Sequence, residues 1–216
     1  VSFSYEKGRA FYVNMPADFE ETKSILNEFK SIFLSEKIEK VAQNLKYDLK
    51  VLLKYGIKIG GPQFDTMLAH YLVNPDGRHG MDVLAEKYLK YRPIAITSLI
   101  GKKGKNQLSF SDVPLEKAKE YACEDADITF QLKQKIYKEL MDKQLAHLMI
   151  RLEMPLVAVL SDIEMEGIKV DDKFLNNYSI ELENMSNKIE ESIYEMSGMA
   201  FNLSLIHISE PTRQSP

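Results

Sequence analysis

The sequence has no tryptophan and a single cysteine, Cys123, in 216 residues. One cysteine excludes an internal disulfide framework and suits a reducing compartment. No apolar run reaches the roughly 20 residues that a membrane-spanning helix needs. A basic excess is missing too: 28 lysines and arginines against 32 acidic residues give a net charge of −4. Without a global positive field, a polyanionic partner has to be met by a local patch or through metal ions. Two of the four histidines, His70 and His79, stand at no ligand spacing from any other His or Cys, which excludes a zinc site by pattern. The chain opens on Val1 rather than Met, directly in a strand-like alternation, so its N-terminus is expected to be a cut that took any targeting signal with it. What remains is ordinary for a globular protein, 44% hydrophobic and 28% charged, and long enough for one large or two small domains.

Taken in order, residues 1–5 and 10–15 alternate around Glu6-Lys7-Gly8-Arg9 and predict a β-hairpin. Pro16 and Asp18 open a helix expected to run to Leu34, with Phe19, Ile25, Leu26, Phe29 and Phe33 inside. A strand is predicted over 38–43, a helix from Leu45 that stops at Gly56, and a short strand over 57–59. Phe64-Asp65-Thr66-Met67-Leu68 leads into a helix to Val73, Asn74-Pro75-Asp76-Gly77-Arg78 is turn chemistry, and 81–89 is helical. Asp112-Val113-Pro114 is expected to start a long helix with Ala118, Ala122, Thr129, Leu132 and Ile136 on its apolar line. Beyond that lie a helix over 148–166 interrupted near Pro155, a turn and short strand over 167–170, and a charged amphipathic helix capped by Asp171 or Asp172.

Two carboxylates stand where apolar side chains belong. Asp48 follows Gln43-Asn44-Leu45-Lys46-Tyr47 on the stripe formed by Leu45, Val51, Leu52 and Tyr55. Asp125 sits mid-line on the long helix, with Tyr121 one turn before it. A carboxylate aimed at a core is costly unless a cation or hydrogen-bond donors meet it. Either aspartate alone is commonly a satisfied core group. Two of them at the same sheet end favour a shared cation, where open α/β sheets place their sites.

The ordered motifs resemble the proofreading exonuclease domain of family A bacterial DNA polymerases. Gln43-Asn44-Leu45-Lys46-Tyr47-Asp48 is similar to that family's second motif, and Tyr121-Ala122-Cys123-Glu124-Asp125 to its third. Phe64–Leu68, Gly77-Arg78-His79 and the stretch from Gly101 to Leu108 stand between them in the family's order. Glu153-Met154-Pro155-Leu156 and Glu166-Gly167-Ile168-Lys169-Val170-Asp171 resemble the junction into the polymerase domain. The resemblance implies a ribonuclease H-like α/β fold, a mixed sheet flanked by helices, followed by a partial, mostly helical segment. It implies an exonuclease domain over 1–147 and the start of a polymerase domain over 148–203, contributing little to the exonuclease core. It also implies hydrolysis with two divalent metal ions, Mg²⁺ or Mn²⁺. Asp48 and Asp125 would converge to hold the metals, and Tyr121 would orient the attacking water. Gln43, Asn44, Tyr47 and Arg78 would contact the single-stranded 3′ end of DNA. A monomer in the bacterial cytoplasm, associated with the nucleoid and with no membrane partner, completes what the resemblance implies.

The family's Asp-x-Glu first motif lies on the strand before the one that opens at Val1, and is not in this sequence. Weak metal binding by the chain alone is the expectation. The polymerase catalytic motifs are not in it either. A stand-alone exoribonuclease of the RNase D type shares the second and third motifs, and a non-catalytic scaffold is a third reading; the junction from Glu153 to Asp171 suits the polymerase. Arg78 has a solvated-turn alternative. Lys102, Lys103 and Lys105 read as a solvated loop, with a phosphate contact as the alternative that the glycines between them would suit; Asp65 and Asp127 read as surface charges, with a place behind the metal ligands as the alternative; and Cys123 is expected to pack. The run Leu203-Ser204-Leu205-Ile206-His207-Ile208-Ser209-Glu210-Pro211-Thr212-Arg213 matches one reading frame of a transposon-end sequencing adapter, so 204–216 is set aside as non-native and His207 is not a candidate ligand.

Overall fold

The structure, a computed structural model, describes residues 1–203; the adapter-like run from Ser204 on lies outside them. It opens with β1 (Ser2–Glu6) and β2 (Arg9–Tyr12), antiparallel with Phe3 opposite Phe11. Gly8, at φ +78°, makes the turn. Asp18 caps α1 (Phe19–Glu28) by accepting from the Glu21 amide at 2.8 Å. The helix expected to reach Leu34 breaks at Phe29, whose ψ of 0° ends it, and α2 (Lys30–Phe33) follows. Leu26, Phe33, Leu52 and Ile57 form one small core, with Phe3 stacked on Phe29 at 5.1 Å. Phe19, expected inside, is exposed and stacks on Tyr55 at 4.8 Å.

β3 (Lys40–Ala42) leads into α3 (Leu45–Lys54), and β4 (Gln63–Asp65) into α4 (Thr66–Val73). β3 and β4 run parallel, Val41 opposite Phe64. The predicted strand over 57–59 does not form. The Ile57 amide turns back to the Leu52 carbonyl and the Gly56 amide to that of Leu53, a Schellman end that consumes the groups a strand would pair.

The expected single mixed sheet is corrected: among the described residues, the four strands make two separate two-stranded sheets. No hydrogen-bond ladder joins the two pairs. They share α7 (Leu115–Asp142) instead, which packs on β1, β2 and β3. Before it come α5 (Met81–Leu89), with the bounds the sequence predicts, and α6 (Ile96–Ile100). Asp112 does not cap α7. It closes a capping box with Ser109 on the short 3₁₀ turn Phe110–Asp112, and Pro114 stands at the start of α7.

The main core sets Ile128, Leu132, Ile136 and Leu140 of α7 against Phe64, Ala69, Val73, Leu84 and Ala85. After α8 (Ala146–Leu148), a π-helical turn over Met149–Glu153 runs into α9 (Met154–Glu166). Pro155, which lacks an amide hydrogen, follows in a backbone that stays helical through Glu153 and Met154, so the rod loses one donor at this point, and the π turn covers the residues that donor would have reached. Met149 lies in the main core and Val157 packs with Leu45 and Leu49, and one compact unit extends from Val1 to Gly167. Residues 148–167 therefore do contribute to the core, because α9 lies along α3, where Lys46 and Lys50 both reach Glu164. A second unit begins at Ile168. Its helix α10 (Asp172–Ser197) is capped by Asp171, which accepts from the Phe174 amide, and the strand expected over 169–170 is not formed.

Candidate active site

The passage from β3 to α3 is made by Asn44, whose φ of +67° is left-handed, a region asparagine tolerates better than most residues. This turns the amides of Asn44 and Leu45 toward Asp65, which accepts both, at 3.2 and 2.7 Å. The same carboxylate accepts from the amides of Met67 and Leu68, at 2.8 and 3.2 Å, as the N-cap of α4. One side chain thus caps two helices. Asp65 is only 2% exposed. Four amide donors and two helix N-termini offset the cost of burying its charge. The surface reading of Asp65 is therefore corrected. The signal was present: an aspartate at the end of a strand, directly before an apolar helical run, is an N-cap signature.

Asp48 stands on the first turn of α3, half-buried. Burial, then the nearby charge of Asp65, push its carboxyl up to about 6. Around it, Asn44 and Tyr47 are exposed, Tyr47 by 63%. Gln43 is different: its amide nitrogen donates to the His79 carbonyl at 2.7 Å, and its oxygen accepts from the Thr66 hydroxyl. Arg78, next to His79, is exposed.

On α7, Tyr121 and Asp125 are one turn apart, both half-buried, and close enough for each to shift the other's titration. Burial pushes Asp125 up to about 6, the Tyr121 hydroxyl pulls it back, and the Glu124 charge pushes it up again. Burial and the Asp125 charge hold the Tyr121 hydroxyl protonated, well above the usual phenol range, and Phe110 packs beside its ring at 5.8 Å. Glu124 accepts from the Tyr91 hydroxyl at 2.5 Å and the Ile94 amide at 2.7 Å, tying the 91–94 loop to the helix. Asp127 is likewise more than a surface charge. It accepts from the Gly8 amide at 2.8 Å and from Gln131 at 2.9 Å, fastening the hairpin turn to α7. Cys123 is half-buried, and the loop bearing Lys102, Lys103 and Lys105 is exposed.

The structure therefore brings together Tyr121 with Asp125, Asp48 with Asp65, and Gln43 with the residue after Arg78. Among the described residues, no group of three or more His, Cys, Asp or Glu could hold a metal ion. Asp48 and Asp125 fit a divalent cation in kind, being hard oxygen donors in acidic surroundings, but they supply fewer ligands than such an ion takes. The unexpected cluster lies elsewhere. His70, 1% exposed, meets His79 at 2.7 Å between their Nδ1 atoms.

A 3′-5′ exonuclease family model matches residues 1–141. The chain belongs to the 3′-5′ exonuclease family. That family generally uses divalent metals. The chain is 36% identical to DNA polymerase I of Pseudomonas aeruginosa, over 94% of the chain and 23% of that protein. It is 38% identical to DNA polymerase I of Rhizobium leguminosarum, over 84% of the chain and 18% of that protein. Its length is thus a small part of these relatives, whose names favour the polymerase reading over the RNase D one. In fold it resembles the POL domain of Pol1 from M. smegmatis in complex with DNA primer-template and dNTP, with a TM-score of 0.70 at 23% identity, covering 91% of this chain and 30% of that one. Brucella melitensis NrnC shares the fold less closely, with a TM-score of 0.52 at 19% identity over 63% of each chain. No described helix is long and apolar enough to cross a membrane.

Proposed function

We propose that this chain is the 3′-5′ exonuclease part of a bacterial DNA polymerase I, trimming the frayed single-stranded 3′ end of DNA and so proofreading synthesis by the parent protein. On this reading the fold is ribonuclease H-like, the parent works as a cytoplasmic, nucleoid-associated monomer, and residues from 148 on begin its polymerase domain. The observation that carries the proposal is the placement of Tyr121 and Asp125 one turn apart on α7, a half-buried phenol beside a half-buried carboxylate, within the stretch that matches the 3′-5′ exonuclease family.

Asp48 and Asp125 are the residues that would hold two divalent ions, Mg²⁺ or Mn²⁺. When bound, such ions lower the pKa of a water and stabilise the leaving 3′ oxygen. The chain's own residues do the rest. Burial and the neighbouring Asp125 charge keep the proton on the Tyr121 hydroxyl, which can then orient a water by hydrogen bonding. Asp65 sets the start of α3 and with it the position of Asp48. Tyr47 and Asn44, both exposed, are free to meet bases and phosphates, and Arg78 to pair with a phosphate. Gln43, by contrast, is engaged within the protein, so its contribution to binding runs through the 74–80 loop.

The test is degradation of a 5′-labelled oligonucleotide under single-turnover conditions, by the chain extended upstream with a strand bearing Asp-x-Glu. Metal-dependent, stepwise shortening from the 3′ end with release of nucleoside 5′-monophosphates is expected. Shortening from the 5′ end, or activity unchanged by Asp125→Ala, would overturn the assignment.

A further inference from the structure

The loop between α4 and α5 carries Arg78 and is tied to the body of the protein through the next residue. The His79 carbonyl accepts from Gln43 at 2.7 Å, and its ring Nδ1 lies 2.7 Å from His70 Nδ1. Lys87 of α5 fixes the direction of the ring-to-ring bond. Its ammonium, at 3.2 Å, can only donate, so His70 Nε2 must accept and carries no hydrogen. Neutral His70 is then protonated at Nδ1 and donates to His79 Nδ1, which leaves the His79 hydrogen on Nε2. Rings on both sides hold this geometry: Tyr88 meets His70 edge-on at 5.8 Å, and Tyr71 meets His79 at 5.5 Å. The groups facing His70 are Lys87 and Tyr88 from α5, His79 from the loop, and Glu139 from α7, which accepts from the Tyr88 hydroxyl at 2.9 Å.

We propose that His79 is a positioning residue for Arg78: its carbonyl, held by Gln43, and its ring, held by His70, fix the loop that presents the Arg78 guanidinium to the backbone of a single-stranded DNA 3′ end. The proposal rests on the exonuclease reading and on Arg78 as a DNA contact within it. It assigns Gln43, His70 and His79 one shared task and makes that task dependent on protonation. A proton added at His79 Nδ1 sets two N–H groups face to face. A proton added at His70 Nε2 sets an N–H against the Lys87 ammonium. The clamp holds while both rings are neutral.

Binding of a short fluorescent oligothymidylate, read by anisotropy on the whole chain, tests this. Arg78→Ala and His79→Ala should each weaken binding by about 3- to 10-fold, and the double variant should be no weaker than Arg78→Ala alone, because the two act through one contact. The loss on acidification from pH 7.5 to about 4, where His70 takes up its proton, should be smaller in His79→Ala than in the unaltered chain. Wild-type affinity in His79→Ala, or an equal loss when it is added to Arg78→Ala, overturns the positioning role. Failure of the underlying reading looks different: Arg78→Ala itself would then bind like the unaltered chain, and the proposal falls with it. Nitrogen NMR of the unaltered chain at pH 7.5 removes any dependence on how the variants fold. His70 should be the Nδ1–H tautomer and His79 the Nε2–H tautomer, and the reverse pair would overturn the clamp.

Discussion

Asp65 accepts the Leu45 amide at 2.7 Å, and through that bond the end of one strand sets the start of the helix that carries Asp48. The two carboxylates are coupled as well as linked, since the Asp65 charge helps push Asp48 up to about 6. Asp65→Ala should leave four amides without their acceptor and destabilise the chain by about 2–4 kcal/mol, since losing an N-cap to alanine costs roughly 0.5–2 kcal/mol and this side chain caps two helices. Asp65→Asn should cost less, keeping one acceptor oxygen. Urea unfolding followed by circular dichroism separates the two. A loss below 1 kcal/mol for the alanine variant would mean that water replaces the carboxylate.

Gly61 makes a steric prediction that involves no charge. At φ +64°, a Cβ there would lie 2.4 Å from the Ser35 carbonyl oxygen and 2.8 Å from the Glu36 Cα. Both are backbone atoms, so Gly61→Ala must displace the turn before β3. A loss of about 2 kcal/mol or more is expected, against a few tenths for Gly104→Ala, which meets nothing within 4 Å. Thermal melts of the two variants side by side provide the measurement.

His70 gives a pH dependence with a definite sign. Burial, then the Lys87 and His79 charges, lower its pKa from 6.5 to about 4. Between those values the unfolded chain binds a proton that the folded one refuses. Stability from this group is therefore complete above pH 6.5 and drains away as pH falls toward 4. The unaltered chain should lose about 1–2 kcal/mol more than His70→Gln between pH 7.5 and 4.5, by denaturant unfolding at both. Equal losses would show that His70 titrates as it would in the open.

Catalysis separates Asp125 from its neighbour. In the chain extended with Asp-x-Glu, Asp125→Ala should reduce cleavage by at least about 10³-fold while single-stranded DNA binding largely survives. Tyr121→Phe removes only a hydroxyl and should cost about 10- to 100-fold, the scale of one orienting or proton-transfer contact. Single-turnover rates and anisotropy, measured on the same preparations, distinguish lost chemistry from lost binding.

Local chemistry was legible in the sequence. The bounds of α5, the caps at Asp18 and Asp171, the stop at Gly56 and the Tyr121–Asp125 spacing all depend on residues within a turn or two of each other. Asp65 and Asp127 were misread because their partners are backbone amides far along the chain: Leu45 is 20 residues from Asp65, and Gly8 is 119 from Asp127. Composition carries no trace of an amide's direction. The His70–His79 contact escaped for a related reason, since ligand spacing asks whether two rings can share a metal and not whether one can donate to the other. The mixed sheet was expected from strands that do form, but strand pairing is non-local, and here α7 does the joining.

The π-helical turn over Met149–Glu153 sets the phase of everything after it in the rod that ends at Glu166. It holds one residue more than a regular turn would, and each residue advances a helix by about 100°. Deleting Ile150 would close the rod to regular pitch and leave Val157 facing Leu45 and Leu49, whereas deleting one residue from the regular turns between Glu153 and Val157 would swing Val157 off them and carry Glu164 away from Lys46 and Lys50. Length changes among homologues in the regular part of this rod should therefore come in threes and fours, whole turns that restore the facing side, while the π turn can lose its one extra residue and the glycine-flanked lysine loop can gain or lose residues singly.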